Sequence, residues 1–142
     1  MSPAAGFTLD PRLAADSLML VEWPLSQMRL MDDARFAWLV LVPRVAGAIE
    51  WVDLDDAHQQ QLLGEVNRAA RLLRATGPCH KINIGALGNI VRQLHVHVVA
   101  RTDGDAAWPG PVWGSGPMQR LSRGVRESRL EALRRALAAM PD

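Results

Sequence analysis

From Phe36 to Val42 every residue is apolar, whereas from Gln93 to Val98 polar and apolar side chains alternate without a break. An apolar run bounded by Asp32-Asp33 and Pro43 predicts an interior strand covered on both faces. The alternation predicts a half-buried extended segment over Gln93–Arg101, because successive side chains of a strand point to opposite faces. Gln93, His95 and His97 then share one face, and Leu94, Val96 and Val98 fill the other.

The remaining pattern supplies the frame around these two segments. Asp10-Pro11 reads as an N-cap followed by proline at the first helical position, opening a short helix to about Asp16. Leu18–Glu22 is a strand broken at Trp23-Pro24. Leu25–Met31 and Ala34–Val42 flank Asp32-Asp33 as a hairpin. Asp53 with Asp56 resembles a capping box. It is followed by Leu62, Leu63, Val66, Ala69, Ala70 and Leu73 at helical spacing, with Gln59, Gln60 and Arg68 outward and Thr76-Gly77-Pro78 as the stop. His80–Ile84 is extended and joins the histidine segment through Gly85-Ala86-Leu87-Gly88-Asn89. Thr102–Pro117 is a loop rich in Gly and Pro. A second capping box, Ser128 with Glu131, opens a last helix whose stripe is Leu130, Leu133, Leu137 and Met140. The order predicts an α+β fold with a mostly antiparallel sheet of about five strands, a long helix and a C-terminal helix, the helices lying on one face.

Composition narrows the classes of function. A chain of 142 residues with 49% hydrophobic content suits one domain over 1–142. No run approaches the apolar length of a membrane span, and no basic-then-apolar leader opens the chain, so no membrane partner and a cytoplasmic location are expected. Cys79 is the single cysteine, which excludes an internal disulfide framework and a zinc site of several thiolates. A net charge of +1 argues against a nucleic-acid partner. The arginines from Arg120 to Arg135, interspersed with Glu127 and Glu131, read as a solvated helix face.

The chemistry concentrates at the histidines. A neutral imidazole is a competent nucleophile near neutral pH: it can attack phosphorus, hold the phosphoryl group as a phosphoramidate and be displaced by water. That requires a partner for its other ring nitrogen and donors for the phosphate oxygens. The amides of a glycine loop are suitable donors, and Gly85, Gly88 and Asn89 stand just before the histidine segment.

The run from Asn83 through Gly85, Gly88 and Asn89 to Gln93-Leu94-His95-Val96-His97-Val98-Val99 resembles the signature of the histidine triad (HIT) superfamily. The resemblance covers about Leu18 to Arg101, and its specific part is the glycine-loop-to-histidine segment. Trp108-Pro109-Gly110-Pro111-Val112-Trp113 is similar to a bacterial branch of dinucleoside polyphosphate hydrolases. The resemblance implies nucleotide hydrolysis or nucleotidyl transfer at an α-phosphate through a nucleotidyl-histidine, without a metal or cofactor, in a homodimer. His95 falls on the nucleophile, His97 on the histidine contacting phosphate and holding the nucleophile, Asn83 on a ribose or phosphate contact, and Gly88 with Asn89 on the phosphate loop. Two positions depart from the pattern. Gln93 stands for the first triad histidine, where it can orient the site but carry no proton, and Ile90 replaces a hydroxyl donor to phosphate.

Other readings stay open on the residues alone. One reading is a nucleotide-binding module with faded catalysis; another is a metal site in which His95 and His97 take a third ligand from His58, His80 or the Asp53–Asp56 cluster. His58 is expected to face solvent. His80 beside Cys79 points the opposite way along a strand and makes no thiol dyad. Asn83 and Asn89 also suit the loop's own hydrogen bonds, and Trp108 and Trp113 are candidate nucleobase platforms.

Overall fold

The computed structural model describes residues 5–141. Pro11–Asp16 forms a short helix (α1), followed by Ser17–Glu22 (β1), Ser26–Met31 (β2), Ala37–Pro43 (β3), the long helix Asp56–Thr76 (α2), Lys81–Gly85 (β4), Val96–Arg101 (β5) and Arg123–Ala139 (α3). Among the described residues the five strands form one sheet in the order β1-β2-β3-β5-β4. Every neighbouring pair is antiparallel, which gives the expected α+β arrangement.

The apolar run takes the centre because both of its faces have something to bury. Leu39 and Leu41 of β3 and Val96, Val98 and Ala100 of β5 pack with Leu62, Val66, Ala69, Leu72 and Leu73 of α2 and Leu133 of α3. On the opposite face Trp38, Val40 and Val99 pack with Met31, Phe36 and Val112. That face is roofed by the Gly- and Pro-rich loop rather than by α2 or α3, which leaves room for a cleft. Among the described residues no helix is long and apolar enough to cross a membrane.

Several boundaries differ from the expected ones. The cap of α2 is Asp55, which accepts from the His58 amide at 2.8 Å. The Asp53 carboxylate is consumed one turn earlier by the Ile49 and Glu50 amides, at the 3-10 turn Trp51–Asp53. The cap of α3 is Ser122, whose hydroxyl accepts from the Val125 amide at 3.4 Å. Ser128 and Glu131 lie inside that helix: their spacing also occurs in helix interiors, and only Ser122 has the extended backbone a cap requires.

Asp32-Asp33 is not a two-residue hairpin turn, since β3 begins only at Ala37. Each carboxylate is engaged elsewhere. Asp32 accepts from the Leu121 amide and from Arg120, and Asp33 accepts from the Arg35 amide and side chain. The arginine tail is accordingly solvated only in part. Arg123 with Glu127 and Arg135 with Glu131 are exposed pairs, but Arg120 clamps Asp16 and Asp32, and Arg129 donates to the carbonyls of Asp33, Ala34 and Phe36. On α2, Leu63 is 55% exposed while Leu72 is fully buried, because the buried stripe is centred on Leu62, Val66, Ala69 and Leu73. Arg68 is half-buried, its guanidinium 5.0 Å over the Trp23 ring.

Candidate active site

β5 begins at Val96, so Gln93 and His95 precede the strand while His97 lies within it. His97 pairs with Val40 on one side and Gly85 on the other, and its ring shares the loop-roofed face with Trp38, which stands two residues along β3 from Val40. His95 and His97 are 7% and 6% exposed. Their ring centroids are 4.9 Å apart, edge to face.

The hydrogen bonds of the two rings fix opposite tautomers. His95 Nδ1 lies 2.7 Å from the Gln93 carbonyl oxygen. A carbonyl only accepts, so Nδ1 carries a proton, and in the neutral ring Nε2 holds the lone pair. His97 Nδ1 lies 2.9 Å from Trp38 Nε1. An indole N–H only donates, so Nδ1 accepts and the neutral ring holds its proton on Nε2. Burial, and secondarily the neighbouring His95, push the His97 pKa down to about 3, so the ring is uncharged at neutral pH. One histidine therefore offers a base or nucleophile and the other a donor.

Both rings line a cleft of about 440 Å³. Leu13, Met31, Val112, Trp113 and Met118 supply apolar walls, and the segment Leu87–Val91 supplies backbone. Gly88 has φ +74, the left-handed region in which a side chain is strained. Among the described residues the amides of Gly88, Asn89 and Ile90 donate to no backbone carbonyl. The Trp113 ring sits 5.6 Å from His97. It comes so close to β4 that a methyl on Gly85 would meet its Cη2 at 2.9 Å.

The roof is held by Arg101, which is almost wholly buried. Its guanidinium donates to both carboxylate oxygens of Asp105 at 2.8 and 2.9 Å and to Asn83 Oδ1 at 2.8 Å. It lies within cation–π distance of Phe36 and of Trp108. The Arg101 hydrogen bonds hold the Asp105 carboxyl down at about 2.

Of the residues named from sequence, His95, His97, Gly88, Asn89 and Ile90 line the cleft together. Gln93 and Asn83 do not. The Gln93 side chain turns to the N-terminal segment, donating to the Thr8 carbonyl and accepting from the Asp10 amide, both at 2.8 Å. Asn83 is spent on Arg101. Trp113 is in the cleft, whereas Trp108 packs against Arg101 outside it. His58 is exposed and 3.4 Å from Asp55. His80 accepts from the Asp103 amide. Among the described residues no three His, Cys, Asp or Glu side chains gather as a metal site.

Trp38, Arg101 and Arg12 were not singled out in the sequence. Trp38 was within reach: once Val40 is set opposite His97, strand parity puts Trp38 on the histidine face.

Residues 12–104 match the HIT domain, and the chain belongs to that family. A histidine triad protein of Bradyrhizobium japonicum is 44% identical and superimposes with a TM-score of 0.89, over 92% of this chain and 98% of that one. One from Marinobacter aquaeolei is 39% identical, with a TM-score of 0.91 over 96% and 100% of the two chains. In sequence, a Mycobacterium tuberculosis protein named AP-4-A phosphorylase is 29% identical over 140 residues, covering 88% of this chain and 68% of that protein.

Proposed function

We propose that the cleft binds a nucleotide and that His95 attacks its α-phosphorus, making the protein a nucleotide hydrolase or nucleotidyl transferase. The observation that carries this reading is the pair of opposed tautomers. His95 Nε2 presents a lone pair, and His97 Nε2–H presents a donor beside it. Nε2 forms a bond to phosphorus as the bond from phosphorus to the leaving group breaks, and the leaving group departs with the electron pair. The adduct is a phosphorylated imidazolium, still protonated at Nδ1, and the Gln93 carbonyl stabilises that charge. Water or another acceptor then attacks phosphorus as the bond from phosphorus to Nε2 breaks, its electron pair returns to Nε2, and the proton of the attacking group passes to solvent.

The His97 Nε2–H and the amides of the Gly88–Ile90 segment bind the non-bridging oxygens, replacing the hydroxyl that Ile90 lacks. Gln93 orients the nucleophile through its backbone carbonyl, a role that survives the replacement of histidine at this position. Dinucleoside polyphosphates and nucleoside phosphoramidates both suit the mechanism, and the named relative supports the former. A homodimer is part of the same reading, supported by the open edge of β4, where Ile84 is 53% exposed; sedimentation tests it.

Incubation with a dinucleoside polyphosphate, followed by chromatography of the products, tests the activity. Release of nucleoside monophosphate by the wild type, and none by His95→Ala, is the expected result. Equal release by both proteins would place the chemistry elsewhere, and binding without release would leave a nucleotide-binding module.

A further inference from the structure

Gln93 does two things at once. Its carbonyl holds the His95 ring, and its side chain grips the chain more than eighty residues away in sequence, at Thr8 and Asp10. The amide is the one side-chain group that donates to a backbone carbonyl and accepts from a backbone amide in the same plane, as a neighbouring strand would. Asp10 in turn caps α1, its carboxylate accepting from the Arg12 amide at 2.8 Å. A helix of six residues has no stability of its own. It is held by this grip, by the Leu13 side chain at 5% exposure, and by Arg120 on Asp16.

Arg12 is what the grip delivers. It lines the same cleft as His95 and His97. The other charges on that wall are engaged: Asp33 with Arg35, and Asp16 with Arg120, which it shares with Asp32. Among the described residues the Arg12 guanidinium pairs with no carboxylate, so one unengaged guanidinium borders the cleft that holds both histidines.

We propose that Gln93 is a positioning residue that latches α1, and that Arg12 is a specificity-determining residue that binds the phosphate chain beyond the α-phosphate. The inference rests on the nucleotide reading of the cleft and narrows its substrate class. A guanidinium gains from a polyanionic leaving group and gains nothing from the amine of a phosphoramidate. Phosphoanhydrides with several phosphates are the favoured class.

Calorimetric titration with adenosine monophosphate and with adenosine tetraphosphate, at low ionic strength and without divalent metal, reads this without turnover. The wild type is expected to bind the tetraphosphate more tightly by at least about fivefold. In Arg12→Ala that ratio falls to near one, and Arg12→Lys retains part of it. In Gln93→Glu, which keeps the acceptor but loses the donor to Thr8, the ratio falls and amide hydrogen exchange over residues 8–16 speeds up. An unchanged ratio in Arg12→Ala overturns the assignment of Arg12. Unchanged exchange over residues 8–16 in Gln93→Glu overturns the latch. A wild type that binds both nucleotides with a ratio near one overturns only this inference. A wild type that binds neither overturns the nucleotide reading, and this one with it.

Discussion

The Trp38 indole N–H donates to His97 Nδ1 at 2.9 Å, and that bond decides which nitrogen of the neutral His97 ring carries the proton. Trp38→Phe keeps the ring's bulk and removes the donor. The buried Nδ1 then loses its partner, which costs about 1–3 kcal/mol of stability, and the Nε2–H tautomer loses its enforcement. Chemical denaturation should report the loss of stability. kcat on a nucleotide substrate should fall about tenfold or more, because the oxygen-binding donor is no longer fixed. Unchanged kcat would mean that the tautomer of His97 is irrelevant to turnover.

Stability should depend on pH through the same residue. The folded His97 pKa, about 3, lies below its ordinary value of 6.5 because burial and then His95 disfavour the charged ring. Between those values the unfolded chain binds the proton and the folded one does not. The His97 contribution is therefore fully present above about pH 6.5 and is lost as pH falls towards 3, with a slope of at most about 1.4 kcal/mol per pH unit. Urea titrations across this range should show His97→Gln to be less pH-sensitive than the wild type. A parallel dependence in both proteins would assign the effect to other groups.

Arg101 anchors the roof that carries Trp113. Arg101→Leu leaves the Asp105 carboxylate buried without its partner and should destabilise the fold by about 3 kcal/mol or more, measured by denaturation. With the loop released, KM should rise more than kcat falls, since Trp113 lines the cleft but touches no reacting atom. Equal effects on the two constants would point to a direct role in chemistry.

Gly85→Ala tests the close approach of Trp113 to β4. Its Cβ would meet the Trp113 ring at 2.9 Å, so the indole must move and its wall of the cleft with it. Tryptophan fluorescence should shift and nucleotide affinity should fall by about threefold to tenfold. An unaltered spectrum and affinity would show that the ring relaxes freely.

The histidine face was legible because period-two alternation is a strong local signal, and the apolar run Phe36–Val42 marked the central strand for the same reason. Where the alternation misled was its start. Gln93 continues the pattern but sits outside β5, and its side chain answers to Thr8 and Asp10 rather than to its neighbours. No local pattern encodes a contact of that span. The Asn83 partner was equally hidden, because Arg101 meets it only once β4 and β5 are in register. The misplaced caps at Asp53 and Ser128 share another cause: acidic and hydroxyl residues recur near helix starts, and the one that caps is selected by backbone conformation.

In the proposed reaction His95 Nε2 bonds to phosphorus. Rapid acid-free quenching during turnover of a dinucleoside polyphosphate, followed by intact-mass measurement, reads that bond directly. A wild-type chain heavier by one nucleoside monophosphoryl group, with no such species in His95→Ala, is the expected result. A wild type that turns substrate over without ever gaining that mass, or an adduct that persists in His95→Ala, would contradict it.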